Sequence, residues 1–411
     1  MTSDSLRVGQ VISDVIKHND RVAAARYMEQ SANAKIGPAG AWDDPMLMLG
    51  VVNLPTSFDI KMDPMTMRMI GLSQNIPYAG QKGLQRQAAE AEASAAAEQT
   101  HFTEIDLATT ARIAFSDLYY RLQIVNDLTS QYELLDQVVS STRARVTANQ
   151  AGQEDLLAAQ AELWRMQSQL IMAESDVQEA RWNLNSLRGL NPTDSLPPLA
   201  APTAETIPMT PDEWLATAHT TYPPLLQLQH QAQSYALSSE ASRRMQWPML
   251  GLSANYGIRS DMGTMKQDNM VGFQATLSLP IFSGHQQGKM ALSMDAMKNS
   301  SNVEAAQMWR EIEAKLRALH LHALHYSQSV QLYRERIVPT DQDAYRGALA
   351  HYVANRTSLT TVLSYATSIY RDRLESERLQ NELTKTLAEI GKYVTDPAQW
   401  SQNTTEHNTL R

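Results

Sequence analysis

Apolar and polar residues alternate strictly along two segments in the second half of the chain. In residues 249–258 (MLGLSANYGI), leucine, alanine, tyrosine and isoleucine hold one parity, and glycine, serine and asparagine hold the other. Residues 270–280 alternate in the same way. A period of two puts the apolar side chains of a strand on one face. The pattern predicts strands at about 249–258 and 270–280, and at about 46–54 and 65–76 in the first half.

The segments between these strands carry a different pattern, with apolar residues at steps of three and four. This spacing averages close to 3.5, which is the period of a left-handed coiled coil. It predicts long helical hairpins at about 78–187 and 285–395, each broken once by a turn. Shorter helices are predicted at Ser5–Lys35 and Pro211–Arg243. The seam of the first hairpin is formed by Phe115, Leu118, Leu122, Val125, Leu128, Tyr132, Leu135 and Val139.

The two halves of the chain repeat each other. Four pairs of landmarks lie 203 positions apart, with a one-residue slip where YAG aligns with IFSG: Val22 and Leu225, Pro45 and Pro248, Pro77 and Pro280, Gly152 and Asn355. Four landmarks in one order indicate a tandem duplication. The predicted first repeat is 1–187 and the second is 211–395. A proline-rich linker at 188–210 joins them, and a disordered tail is predicted at 396–411.

Composition narrows the class of protein. The 411 residues carry a formal charge of −9, which gives no electrostatic support for a nucleic-acid partner. There is no cysteine, so disulfides and thiolate metal sites are excluded. The first residues, MTSDSLRVGQ, lack the basic flank and apolar core of a signal peptide. Two interpretations stay open: a cytosolic protein, or a mature chain whose export signal has been removed.

Aromatic residues favour a membrane interpretation of the strands over half-buried strands of a soluble sheet. Trp42, Tyr78, Trp247 and Phe282 all fall at the helix-side ends of the predicted strands, as an interfacial belt does. Strands that alternate between lipid and a wet lumen show the same apolar and polar parity. Because four strands cannot close a barrel, several chains would have to share one.

A helix, two strands and two long helices, written twice with a Pro–aromatic–Gly corner, resemble the TolC-type outer-membrane efflux factors. The likeness covers about residues 5–395, and the wording DPMLMLGVVNLP and PMTMRMIGLSQNIPYAGQKG is most similar to members that serve heavy-metal efflux pumps. It implies a mostly α-helical protein with a membrane β part. As a homotrimer, the family forms a twelve-stranded β-barrel, four strands per chain, continued by a long α-helical barrel.

The resemblance also implies a place and partners. It implies the Gram-negative outer membrane, extending into the periplasm, with an export signal absent from this chain. The implied function is that of a passive export duct in a tripartite pump, for heavy-metal ions such as copper or silver. The implied partners are a periplasmic adaptor, an inner-membrane transporter of the resistance–nodulation–division type, and outer-membrane lipid.

Family roles carry over to three groups of positions. The strand-to-helix corners are Pro77 to Gly80 and Pro280 to Gly284. The helix tips that meet the adaptor are Gly152 and Gln153 in the first hairpin and Asn355 and Arg356 in the second, where glycine and asparagine tolerate a left-handed backbone. The acidic pair that constricts the periplasmic end in many members is replaced here by Thr361 and Ser364.

Methionine is frequent, with 20 residues. Strand parity predicts that five of them face the lumen: Met46, Met48, Met65, Met67 and Met69. Thioethers are soft ligands that suit Cu(I) or Ag(I), so these residues are candidates for a weak metal relay. Loose packing of methionine, or a bulge that reverses the parity, is the alternative.

The sequence contains no phosphate loop, no HExxH and no nucleophile elbow, and we expect neither enzymatic activity nor a cofactor. The alternative function is a soluble coiled-coil scaffold or adaptor with a small β-domain. The strands distinguish the two functions, because a soluble scaffold does not need an outward-facing apolar side on every strand.

Overall fold

The computed structural model describes residues 5–202, 210–261 and 266–394. The predicted tail at 396–411 and residues 203–209 of the predicted linker lie outside these ranges. The described helices are α1 (Val8–His18), α2 (Asp20–Gly40), α3 (Gln81–Thr147), α4 (Gln153–Leu187), α5 (Pro211–Thr221), α6 (Pro223–Arg244), α7 (Gln287–Leu332), α8 (Val338–Val353) and α9 (Leu359–Val394). None of these helices is both long and apolar enough to cross a lipid bilayer.

Four strands form one antiparallel meander in the order β1 (Met46–Val52), β2 (Met67–Ile76), β3 (Leu250–Arg259) and β4 (Met270–Leu277). Strand β2 begins two residues later than expected, because the chain turns before it. Asn53 ends β1 with a left-handed backbone, and its amide donates to the carbonyl of Met65 over 3.2 Å. The Thr66 hydroxyl in turn donates to the carbonyl of Asn53 over 2.7 Å.

The chain divides into two compact units. The sheet unit consists of Arg26–Gln99 and Pro224–Met308; the helical unit holds the remaining residues. Both units draw on both halves of the sequence, so neither unit is one of the two predicted repeats. Within the sheet unit, small side chains pack the helices closely, and the Ser239 hydroxyl donates to the carbonyl of Ala291 over 3.1 Å.

The two short helices predicted ahead of the strands are each broken in two, which corrects the prediction of single helices. Asn19 is extended, with φ −78° and ψ 127°, and its side-chain oxygen accepts the backbone N–H of Arg21 at the start of α2. Tyr222 is extended because it precedes Pro223, whose ring disfavours the helical region for the residue before it. These breaks interrupt the helices at equivalent points, 203 positions apart.

The predicted spacing of 203 positions between the two repeats holds only up to Pro280. The alignment predicted for the two helix tips is therefore wrong. Met67 and Met270, which begin β2 and β4, lie 203 positions apart. Gln153 and Leu359, which begin α4 and α9, lie 206 apart. The three extra residues lie between Pro280 and the start of α7, where a predicted slip of one residue was too small. Gly152 and Asn355 are therefore not equivalent.

The second hairpin contains an irregularity that the first one lacks, so its long helix is interrupted before the tip as well as at it. Residues Tyr333–Ile337 form a π-helical turn between α7 and α8. Pro339 lies two residues after this turn, and proline both lacks an N–H and crowds the carbonyl four residues earlier, which here belongs to Glu335 within the turn. A wider π turn relieves that conflict without ending the helix.

The predicted seam forms the core of the helical unit. Phe115, Leu118, Leu128, Leu135 and Val139 are each no more than 4% exposed. They divide between two clusters, one with α1 and α4, and one near the tips with α4, α8 and α9. Leu6 belongs to the first cluster and forms an isolated parallel bridge with Leu199 of the predicted linker.

A polar cluster lies beside this seam, between α3 and α9. The Asp117 carboxylate accepts from Arg121 over 2.7 Å, from Lys385 over 3.0 Å and from Asn381 over 3.0 Å. Burial raises the pKa of Asp117, but the hydrogen bonds from Arg121 and Lys385 outweigh it and hold that pKa below its usual value. The Asn381 side chain also accepts from the Ser116 hydroxyl over 3.0 Å. These directional contacts fix the register of α9 along α3.

Candidate functional site

One face of the sheet is apolar from the first strand to the last. Cross-strand partners share a face, so the register sorts every strand residue onto one side or the other. We call this side the apolar face: Leu47, Leu49, Val51, Ile70, Leu72, Ile76, Leu250, Leu252, Ala254, Tyr256, Ile258, Val271, Phe273, Ala275 and Leu277, interrupted by Arg68 and Gln74. Phe273 is 84% exposed and Leu49 is 71% exposed. An uncovered apolar surface this wide marks contact with lipid or protein.

The height of the apolar face matches a lipid bilayer. Its side chains stand in rows across the strands, and the first and last rows on β2 are those of Arg68 and Ile76. Eight residues at about 3.4 Å each separate the two rows by about 27 Å. The apolar band of an outer-membrane barrel is about 25 Å tall. Strands β2 and β3, with ten residues each, thus have the length of a membrane-crossing strand.

The opposite side, the polar face, is built from small and polar residues. This face also carries five methionines. Its residues are Met46, Met48, Gly50, Val52, Met67, Met69, Gly71, Ser73, Asn75, Gly251, Ser253, Asn255, Gly257, Arg259, Met270, Gly272, Gln274 and Thr276. Glycine here lets larger neighbours lie across the strand. A Cβ on Gly257 would lie only 2.6 Å from the sulfur of Met67.

The methionines expected in the lumen separate into two groups. The register puts Met46, Met48, Met67 and Met69 on the polar face. Met65 precedes β2, and its backbone N–H donates to the Asp63 carboxylate over 2.8 Å within the turn. The sheet register therefore gives Met65 no place on that face. Met270, which was not among the candidates, pairs with Gly257 and joins the group.

Aromatic side chains gather at the helix-side ends of the strands. The rings of Tyr78 and Trp247 stack with centroids 5.4 Å apart and an angle of 15°. Both remain exposed, as do Trp42 at 57% and Phe282 at 67%. Exposed, amphipathic rings at one height are the arrangement found where a membrane meets water.

The two strand-to-helix corners differ in construction. After Pro77, Gly80 adopts φ +81°, and α3 begins at the next residue. The Arg244 guanidinium donates from Nη1 to the carbonyl of Ala79 over 2.9 Å and lies where a Cβ on Gly80 would stand. After Pro280, Gly284 has open space around it and no left-handed backbone. Only the first corner therefore requires its glycine.

The helix tips correct the prediction for Gly152. The residue with the left-handed backbone at the first tip is Asn149, with φ +55°, and Asn355 has φ +57° at the second. Gly152 is extended, with φ −80°, and stands directly before α4. At both tips an N–H bonds back five residues, from Gln150 to Arg145 and from Arg356 to His351, each over 2.8 Å. The repeated ANQ and ANR triplets, 206 positions apart, carried this signal in the sequence.

Arg145 joins the two tips. Its guanidinium donates to the carbonyl of Tyr352 over 3.0 Å and also to the side-chain oxygen of Asn355. It lies 4.5 Å from the centroid of the Tyr352 ring. Gln153, Asn355 and Arg356 are exposed beside this link. The contacts of Arg145 thus hold the two tips, with their exposed residues, in one arrangement.

The constriction candidates lie in the first turns of α9. Thr361 is half-buried, and its hydroxyl lies 3.1 Å from that of Ser358. Ser364 is exposed and donates to the carbonyl of Thr361 over 2.8 Å. Both side chains are neutral and hydrogen-bonded locally. No three His, Cys, Asp or Glu side chains converge on a metal-ion position in the described part of the chain.

Comparison with known proteins supports the fold. The chain is similar to the outer-membrane channel OprN (TM-score 0.78, 15% identity, covering 96% of this chain and 90% of OprN). It is similar to CusC (TM-score 0.80, 14% identity, 96% and 93%) and to VceC of Vibrio cholerae (TM-score 0.78, 13% identity, 95% and 96%). These likenesses confirm the fold class and the resemblance inferred from the sequence: four barrel strands and long helices in one chain.

The similarity to known proteins is weaker in amino-acid sequence than in fold. No protein-family model matches the chain. It is 23% identical over 240 residues to the outer membrane efflux protein BepC of Brucella suis biovar 1, across 55% of this chain and 52% of BepC. The chain thus spans about half the length of the curated relative it matches. The names of these proteins describe outer-membrane channels, an outer-membrane protein and an efflux protein.

The two corner glycines provide a matched pair of substitutions. We expect Gly80→Ala to lower the free energy of unfolding by about 1–2 kcal/mol, because alanine is strained at a left-handed φ and its Cβ displaces Arg244. Gly284→Ala should change it by less than about 0.5 kcal/mol. Thermal unfolding of the purified protein measures both. Equal effects of the two substitutions would contradict this description of the corners.

Proposed function

We propose that this chain is the outer-membrane channel subunit of a tripartite efflux pump of the resistance–nodulation–division type. In this role it is a passive export duct across the periplasm and the outer membrane. The observation that carries the proposal is the apolar face, which is uncovered on all four strands and about 27 Å long along β2 at 3.4 Å per residue. Lipid accounts for both its composition and its height.

The open edges of the sheet support a trimer. Strands β1 and β4 each have one paired side, so the backbone donors and acceptors of their outer sides need partners inside a membrane. Two chains would give eight strands, whose interior is only wide enough for side chains. The polar face, rich in glycine, serine and asparagine, instead suits a wider, water-filled lumen. Three chains give twelve strands, as in the family that the sequence resembles.

The tips support docking to a periplasmic adaptor. Gln153, Asn355 and Arg356 are exposed and polar, and Arg145 holds the two tips together from below. A rigid, hydrogen-bonding end is suited to a partner that must seal against it. Thr361 and Ser364 would then line the periplasmic constriction. Because both are neutral, this constriction lacks the charge that would select cations there.

The methionines favour soft metal ions as the exported substrate. Met67 lies against Gly257, and Met69 and Met270 are the cross-strand partners of that glycine on either side. Three thioether side chains thus lie around one glycine on the polar face. Thioethers bind Cu(I) and Ag(I) in preference to hard cations. A weak, repeated set of such ligands would pass ions along without trapping them.

A soluble coiled-coil scaffold is the second candidate function. The buried seam of α3 and the long hairpins suit it equally well. The sheet does not, because the exposed leucine, valine and phenylalanine side chains of all four strands would face water. A surface of this kind in a soluble scaffold would aggregate.

The assembly is tested by its mass. Exported with a signal peptide and extracted from outer membranes in detergent, the protein should scatter light as a particle of three chains. Without detergent it should precipitate, because the apolar face then meets water. A monomer or dimer that stays soluble without detergent would refute the channel and favour the scaffold.

The substrate is tested by ion binding. We expect the detergent-solubilised protein to bind Ag(I) in a calorimetric titration, and to lose this binding when Met46, Met48, Met67, Met69 and Met270 are all replaced by leucine. The matched control replaces four exposed helical methionines, Met28, Met172, Met290 and Met297, and should bind as the unaltered protein does. Binding that survives the first set, with unfolding temperatures unchanged, would rule out the relay.

A further inference from the structure

Arg68 is the one charged residue on the apolar face. Its cross-strand neighbours are Val51 on β1 and Ile258 on β3, and its side chain is exposed. Its guanidinium forms no hydrogen bond or ion pair with the described residues. Under lipid, the guanidinium would be stabilised by an anionic partner. The chain itself supplies no such group in its described part.

A second arginine at the same end of the sheet is satisfied within the protein. Arg259 lies on the polar face, opposite Met67. Its guanidinium donates to the carbonyl of Pro64 from Nε over 2.9 Å and from Nη2 over 2.5 Å. It therefore closes the loop between β1 and β2. The contrast between the two arginines shows that Arg68 has no corresponding structural task.

The height of Arg68 is that of lipid headgroups. It stands in the row nearest the β1–β2 loop, about 27 Å, at 3.4 Å per residue, from the row of Ile76 beside the aromatic end. Near the edge of the hydrocarbon band an arginine costs about 0–1 kcal/mol, against about 2–4 kcal/mol at its centre. At this height the guanidinium reaches the headgroup layer while its stem covers apolar surface.

The carboxylates at this end of the sheet lie in the loops and not on the apolar face. The loop carboxylates of Asp59, Asp63 and Asp261 accept backbone N–H groups within their own turns, over 2.9, 2.8 and 2.9 Å. Tyr256, one row further into the apolar face, accepts from the Asn269 amide over 2.7 Å. Its hydroxyl hydrogen remains to be donated outward. On the apolar face itself, Tyr256 is the polar side chain nearest to Arg68 in the register, and no carboxylate lies on that face.

We propose that Arg68 binds the phosphate of a membrane lipid at the loop-side edge of the apolar face, with the Tyr256 hydroxyl as a second donor. This inference rests on the proposed function, because it requires that lipid covers the face. A guanidinium fits phosphate oxygens with two parallel hydrogen bonds, and it holds its charge at any physiological pH. The bound headgroup fixes the height of the sheet in the bilayer at one end, as the aromatic rings do at the other.

The test is retention of a phosphate lipid by the intact, detergent-solubilised protein in native mass spectrometry. The probe is phosphatidic acid, with phosphatidylcholine as the lipid that lacks an exposed phosphate monoester. We expect the protein to retain phosphatidic acid about tenfold more than its Arg68→Gln variant does, the factor that corresponds to about 1.5 kcal/mol for a hydrogen bond to a charged group. Arg68→Lys should fall between the two, because lysine keeps the charge but loses the paired geometry.

Lys61→Gln is the matched control, since Lys61 is a cation of the same loop end that lies outside the apolar face. It should retain phosphatidic acid as the unaltered protein does. Equal retention by Arg68→Gln would overturn the site. Displacement of the lipid by inorganic phosphate at the same concentration would overturn its assignment to a headgroup. If the protein still needs detergent, neither result contradicts the proposed channel function. Solubility without detergent would contradict the channel function itself.

Discussion

A four-stranded sheet that is apolar on one side and unpaired at both edges has no stable state alone in water. Its exposed side chains require a cover, and the outer sides of β1 and β4 require partners for their backbone groups. Lipid covers the apolar side chains, and further copies of the sheet pair with the edge strands. Closure into a barrel then gives the backbone groups of every strand a hydrogen-bond partner. The proposed location, assembly and duct all follow from this one constraint.

The long helices have a different constraint. Helix α3 is about 100 Å long, at 1.5 Å for each of its 67 residues, and it must keep one register against its neighbours over many turns. An apolar seam alone permits sliding by whole turns. In the helical unit, Asp117, Lys385 and Asn381 hold α3 to α9 at one place, and Arg145 holds the tips together at another. Polar contacts at fixed points therefore set the register that the apolar seam leaves open.

The sequence predicted most of what periodicity controls. Alternation predicted the strands and the side of every candidate methionine except Met65, which precedes β2, and the spacing of Phe115, Leu118 and Leu128 predicted the core of α3. What failed depended on single backbone conformations. A fixed offset suggested Gly152 as the left-handed tip residue, but three extra residues after Pro280 shift the match, and Asn149 has that role. The partners of Arg244 and Asp117 come from distant parts of the chain, and no local pattern signals them.

The central claim, that lipid covers the apolar face while water fills the other side, has a direct measurement. The chain contains no cysteine, so single cysteines along residues 250–258 can carry nitroxide labels without background. Our account predicts that accessibility to oxygen peaks at Leu250, Leu252 and Ala254, and that accessibility to a water-soluble nickel complex peaks at Ser253 and Asn255. Equal exposure of both parities to the nickel complex would contradict it, because both sides of the strand would then face water.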